Sequence, residues 1–187
     1  MTIFEPGAGI GDQSAWLLQQ GAAKLITSDG RVDNVGVIKK RFLSNPKVTV
    51  LEGDLENCLD LPQFSVKADL IYCWGVYYHI YDPMPEFPIL KKLSLIAPMI
   101  VMDFQESLTG VDYVKTFLTA DSSQSVSLKS GRQTMTSMAN AVRDTFGYAY
   151  FPAEQMNWND PACIHDPRRI IVGSKTPLTS SGLIEAR

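Results

Sequence analysis

A chain of 187 residues, 45% of them hydrophobic, has room for one cored domain and is too apolar to be a disordered segment. Its formal net charge of -3 offers no general basic field for holding nucleic acid. Three cysteines (Cys58, Cys73 and Cys163) with no CxxC spacing make neither a disulfide framework nor a zinc site, so no metal is expected. Apolar runs such as Ile96 to Met102 fall far short of the about 20 residues that a membrane span needs. The first residues lack the positive start and apolar core of a signal peptide, so a cytoplasmic protein with reduced, buried thiols is expected.

Short β-rich runs alternate with helical patterns along the chain, which predicts a parallel sheet covered by helices. Thr2 to Phe4 is a first strand, Gly7 to Gly11 a tight turn, and Asp12 to Gln20 the helix that the turn opens, ended by Gly21. Lys24 to Ser28 is a second strand, followed at once by Asp29-Gly30-Arg31. Val35, Ile38 and Phe42 share one face of a helix spanning about Val32 to Leu43. Val48 to Leu51 and Ala68 to Trp74 are the third and fourth strands. A turn at Asp82-Pro83-Met84-Pro85 leads to a helix carrying Phe87, Leu90 and Leu93, and Met99 to Phe104 is a fifth strand. From Gln105 to Arg132 periodicity disappears, and so long an irregular stretch in a compact domain predicts a functional loop or lid. Gln133 to Phe146 is a last helix with Met135, Met138, Val142 and Phe146 packed on the core. Tyr148 to Phe151 and Arg169 to Gly173 complete the sheet. The single domain then covers 1–177, with 178–187 expected as a frayed tail.

The chemistry gathers at the strand ends. Glu5-Pro6-Gly7-Ala8-Gly9-Ile10-Gly11 follows a strand and precedes a helix, and its alternating glycines let backbone approach a ligand where any Cβ would collide. On its own such a turn is weak evidence, since a tight connection with no ligand also fits it. Asp29 ends the second strand, where an acid can accept hydrogen bonds from ribose hydroxyls in a doubly wound sheet. Asp54, after the third strand, points into the same crevice. Dinucleotide sites use Gly-x-Gly-x-x-Gly and seat a pyrophosphate on the helix N-terminus. Here the spacing is Gly-x-Gly-x-Gly, and Glu5 and Asp12 flank the turn. Acids there repel a pyrophosphate and suit a cation, although Asp12 serves equally well as a first-turn acid of the helix.

Together these motifs resemble the class I S-adenosylmethionine (SAM) dependent methyltransferases. Glu5 to Gly11 is similar to the family's first motif, Asp29 to its ribose-binding acid, Asp54 to its adenine-side acid and Asp69 to Trp74 to its fourth motif. Gly75-Val76-Tyr77-Tyr78-His79-Ile80-Tyr81-Asp82-Pro83 resembles the Gly-Val-Leu-Tyr-His-Leu-x-Asp-Pro segment of many bacterial members. Asp29-Gly30-Arg31 with Asn34-Val35, and the closing Arg168 to Val172, match further. The resemblance implies a doubly wound, mostly parallel, seven-stranded Rossmann-like sheet of α/β class. It implies SAM as cofactor, held by Glu5, Gly7, Gly9, Gly11, Asp29, Gly30, Asp54, Leu55, Cys73 and Trp74. Family members usually carry helices ahead of the first strand, so the Gln105–Arg132 loop together with oligomerisation is expected to cover the cofactor.

Methyl transfer needs an in-line nucleophile held near the methyl carbon, so orientation does most of the work. His79 reads as a general base or as a structural histidine. Tyr78 reads as a residue positioning the acceptor or as packing. The remaining aromatics from Trp74 to Tyr81 favour a small or flat acceptor, with O-methylation first and tRNA methylation or a non-catalytic SAM-binding module as alternatives. Glu106 and His165 read as loop residues, and Lys39-Lys40-Arg41, Lys91-Lys92 and Arg168-Arg169 as solvated basic faces. Replacing Asp29 with Ala is expected to weaken SAM while leaving the fold intact.

Overall fold

The computed structural model describes residues 1–80, 82, 86–116, 129–155 and 167–186, with backbone alone at 113–116 and 129–130. Tyr81, the turn at Pro83 to Pro85, Cys163, His165, Asp166 and the middle of the expected lid (117–128) lie outside the described residues. In chain order the elements are β1 (Thr2–Pro6), α1 (Asp12–Gln19), β2 (Lys24–Asp29), α2 (Val32–Arg41), β3 (Val48–Glu52), α3 (Leu55–Cys58), β4 (Leu70–Cys73) and α4 (Pro88–Ile96). They continue with β5 (Met99–Gln105), β6 (Tyr113–Thr116), β7 (Lys129–Arg132), α5 (Met135–Phe146), β8 (Tyr148–Pro152), β9 (Arg168–Ser174) and β10 (Leu183–Glu185). A 3-10 turn at Tyr77–His79 follows β4.

The main sheet has the order β10-β8-β9-β5-β4-β1-β2-β3. Strands β1 to β5 pair in parallel, whereas β9 lies antiparallel between β5 and β8. The order reverses between β1 and β4, and the crevice outside the carboxyl ends at such a switch point is where ligands bind in open α/β sheets. One sheet face carries Phe4, Ile26, Ile71, Cys73, Ile100, Met102 and Phe104, buried with Leu90 and Leu93 of α4 and Met138, Val142 and Phe146 of α5. The other face packs Ile3 and Leu25 against Leu17 of α1.

Local chemistry explains the helix ends. The Thr134 hydroxyl accepts a hydrogen bond from Ser137 N at 3.1 Å, capping α5. Asp82, buried, accepts from Ile89 N and Leu90 N at 2.9 Å and from the Tyr77 hydroxyl at 2.8 Å. One carboxylate thus caps α4 from outside the helix and ties it to the turn after β4. Phe87, expected inside that helix, stands just before it with φ 44, a left-handed conformation held by its burial.

Three other expectations need correction. The expected frayed tail carries a strand: Leu183 to Glu185 pair with Pro152 to Tyr150 as the eighth strand of the main sheet, and Ala186 is buried. The three-residue strand was too short to carry a periodic signal. The stretch from Gln105 to Arg132 is not wholly irregular, since β5 runs through Gln105 and β6 pairs antiparallel with β7. Arg168 and Arg169 do not form a solvated face, because each is fixed in an ion pair described below. No described helix is long and apolar enough to cross a membrane.

Candidate cofactor and acceptor site

The carboxyl ends of β1, β2, β3 and β4 share one edge of the sheet, so Glu5, Asp29, Asp54 and Trp74 come to one rim. The glycines of the first loop have different reasons to be there. A Cβ on Gly7 would lie 2.3 Å from a Val76 methyl, so Gly7 is set by the packing of the loops after β1 and β4 on each other. Gly11, in the left-handed region at φ 85, opens α1 and lies over the Phe42 ring. Gly9 has φ 58, and a Cβ there would meet nothing within 4 Å. Only at Gly9 does the missing side chain look onto open space, as close approach to a ligand requires.

Asp29 is buried and well used. Its carboxylate accepts from Gly9 N at 2.8 Å, Arg31 N at 2.9 Å and Asn34 Nδ2 at 3.1 Å. A carboxylate has about four acceptor sites, so about one remains for a ribose hydroxyl. Asp29 is thus also the tether of the glycine loop, a role that reading it as a ribose acid left out. Sequence carried a signal for this, since Asp followed by a residue whose N–H it accepts two positions on is an Asx turn. Gly30 occupies the bend inside that turn.

Asp54 serves α3 in the same way, accepting from Glu56 N at 3.3 Å and from Asn57 Nδ2 at 2.8 Å. Leu55 is the first residue of α3 and packs into the core, as does the Cys73 side chain, which is wholly buried. Burial and the nearby Asp103 push the Cys73 thiol far up, so it is an inert core residue whose backbone alone borders the crevice. Glu5 points beneath the loop, 2% exposed, where it accepts from the Ser14 hydroxyl of α1. Burial raises its pKa from 4.5 to about 7, against the opposing hydrogen bonds of Ser14 and Thr27.

Past the end of β4, Trp74 stacks on Tyr72 with ring centroids 5.7 Å apart and planes 10° apart. The Arg168 guanidinium lies over Trp74 at 5.9 Å and over Tyr78 at 5.2 Å. It is held there by Asp103, wholly buried on β5, to which Arg168 Nε donates at 2.6 Å; Asp103 also accepts from Gly75 N at 2.6 Å. This ion pair joins β5, β9 and the turn after β4, and sequence reading missed it because the partners stand 65 residues apart. Arg169 pairs with Glu106 at 2.6 Å. Tyr78 is buried, its ring 4.3 Å from the ring of His79. Burial, then Arg132, then Arg168 lower the His79 pKa from 6.5 to about 4. Strand β7 packs against the Tyr77–His79 turn.

No family model matches this sequence, and no curated protein matches it. Solved structures do match. The N-terminal domain of EvdMO1, solved in the presence of S-adenosylhomocysteine (SAH) and D-fucose, superposes with a TM-score of 0.73 at 16% identity, over 93% of this chain and 76% of that one. Magnesium protoporphyrin IX methyltransferase from Synechocystis, with bound SAM, gives 0.63 at 17% identity over 93% and 69%. The 1,6-didemethyltoxoflavin-N1-methyltransferase of Burkholderia thailandensis, with bound 1,6-didemethyltoxoflavin and SAH, gives 0.66 at 15% identity over 94% and 71%. The chain has the α/β, Rossmann-like fold of the SAM-dependent methyltransferases. At these identities the likeness is one of fold, and what the site does is argued from its own residues.

Proposed function

We propose that this chain transfers the methyl group of SAM to a small-molecule acceptor, with an oxygen nucleophile as the first candidate. The observation that carries the reading is the opening at Gly9, beside the Asp29 carboxylate and outside the switch point between β1 and β4. A nucleoside fits there with its ribose toward Asp29 and its adenine toward Gly30, Asp54 and Leu55. Glu5, Gly7 and Gly11 hold the loop from below and behind, and the backbone at Cys73 and Trp74 borders the methyl-bearing end. SAM, when bound, supplies an electrophilic methyl group on a sulfonium. The neighbours named above, with SAM, SAH, a sugar or a heterocyclic substrate, support both halves of the reading.

The chain's own contribution is to bind, orient and exclude water. A histidine with pKa near 4 is neutral at pH 7 and a feeble proton acceptor. His79 therefore fits the part of orienting an acceptor better than that of a general base, and Tyr78 fixes its ring. RNA as acceptor loses support, because Arg168, which lies over Trp74 and Tyr78, and its neighbour Arg169 are tied in ion pairs. Calorimetry with SAM, SAH and NAD tests the reading: SAM and SAH should bind and NAD should not. Binding of NAD alone would overturn it. Tight SAM binding with no turnover on any acceptor would favour a non-catalytic module, and salt-dependent binding of tRNA would restore the RNA reading.

A further inference from the structure

Two glutamines meet beside this crevice. Gln105 ends β5, in register with Arg168 on β9, and Gln133 follows β7. Their backbones are joined, Gln133 N donating to Gln105 O at 3.2 Å and Ser107 N to Gln133 O at 2.9 Å. Gln133 is 7% exposed, and among the described residues the Oε1 atoms of both side chains are buried and accept no hydrogen bond. Buried side-chain acceptors without partners are rare because burial removes water that nothing replaces. The two stand at the ends of β5 and β7, strands that both pack against the turn carrying Tyr78 and His79, and such a pair calls for a molecule that completes it. In the orientation the two amides hold, each leaves an oxygen that only accepts, so the completing molecule donates.

We propose that Gln105 and Gln133 line the acceptor subsite and select a small molecule carrying at least two O–H or N–H donors, a polyol, catechol or amino alcohol. The inference rests on the methyl-transfer reading for the name of the subsite, but the hydrogen-bond demand is a property of the two side chains alone. Apolar molecules of the same shape leave both oxygens unpaired and are rejected. Donor-bearing ones satisfy them while Trp74 and Tyr78 supply the aromatic wall.

The test is ligand-observed NMR on the whole chain saturated with SAH, using paired probes of near-equal size that differ in donors: catechol against 1,2-difluorobenzene, and cis-1,2-cyclohexanediol against cis-1,2-difluorocyclohexane. The donor-bearing member of at least one pair should bind at least about tenfold more tightly. Gln105→Met and Gln133→Met should abolish that preference, leave SAH affinity unchanged and unfold at or above the wild-type temperature, since an apolar isostere removes an unpaired group. If no pair separates on the wild type, or if the preference survives in both variants, the proposal is overturned. Failure of SAH to bind would sink the methyl-transfer reading instead, and the same pairs run without SAH would still judge the glutamines.

Discussion

Asp29→Ala separates a loop tether from a ligand contact. Its carboxylate accepts three hydrogen bonds, at 2.8, 2.9 and 3.1 Å, two of them from backbone N–H groups. Hydrogen bonds to a charged group contribute about 1.5–3 kcal/mol each, and deleting a shared acceptor costs less than their sum, so about 3 kcal/mol is expected. In a domain of this size 1 kcal/mol moves Tm by about 2–4 °C, which puts the loss at about 6–12 °C. Asp29→Asn keeps one acceptor oxygen, which can serve Arg31 N and Asn34 Nδ2 together, and should lose about half as much. Thermal unfolding of both variants reads the tether, and calorimetry at a temperature where both stay folded reads SAM. An Ala variant that melts with the wild type would refute the tether. One that melts early yet binds SAM as before would show that the ribose lies elsewhere.

Asp103→Ala leaves Arg168, with only 15% of its side chain exposed, without its counter-ion, at a cost of about 3–5 kcal/mol; urea denaturation should show that Asp103→Ala with Arg168→Met loses less than Asp103→Ala alone, and equal losses would mean the two are uncoupled. Glu5 has a folded pKa of about 7 against 4.5 unfolded, so the native state binds the extra proton and stability falls as pH rises from about 4.5 to 7. Glu5→Gln should remove a decline of about 3 kcal/mol between pH 4 and pH 8, and parallel pH profiles for variant and wild type would contradict the burial argument. His79 has the opposite sign, its folded pKa of about 4 lying below 6.5, so its contribution is full above pH 6.5 and lost as pH falls toward 4. His79→Gln should abolish that acid-side loss and lower turnover only modestly, whereas a turnover collapse with an ionisation near pH 6.5 in the wild-type profile would return His79 to the role of general base.

The sheet was legible because its signals are local. Strands of four to seven residues flanked by turn residues, a glycine loop after the first of them and acids after the second and third define a doubly wound sheet without any knowledge of distant contacts. What escaped was set by contacts far apart in sequence. Gly7 looks like a ligand-contact glycine until Val76 is seen against it. Arg168 looks like surface charge until Asp103 is seen beneath it. The strand at Leu183 to Glu185 is too short to show a period and exists because β8 presents an open edge. The Asx geometry of Asp29 and the cap at Asp54 were readable from neighbouring residues, and the ligand explanation for each acid hid the local one.

These two explanations for Asp29 support each other physically. A loop ordered only by its ligand takes the entropy of that ordering out of the binding free energy. Here the loop between β1 and α1 is already held at Gly9 by a carboxylate with about one acceptor site unused, and a Cβ on Gly9 would meet nothing within 4 Å. The proposed acceptor side follows the same plan, because Asp103 holds Gly75 and Arg168. Since proximity rather than covalent help dominates methyl transfer, the largest effects on turnover should come from these two anchors, neither of which touches a reacting atom. A variant at His79 that outweighed both would mean that proton transfer, and not orientation, limits the reaction.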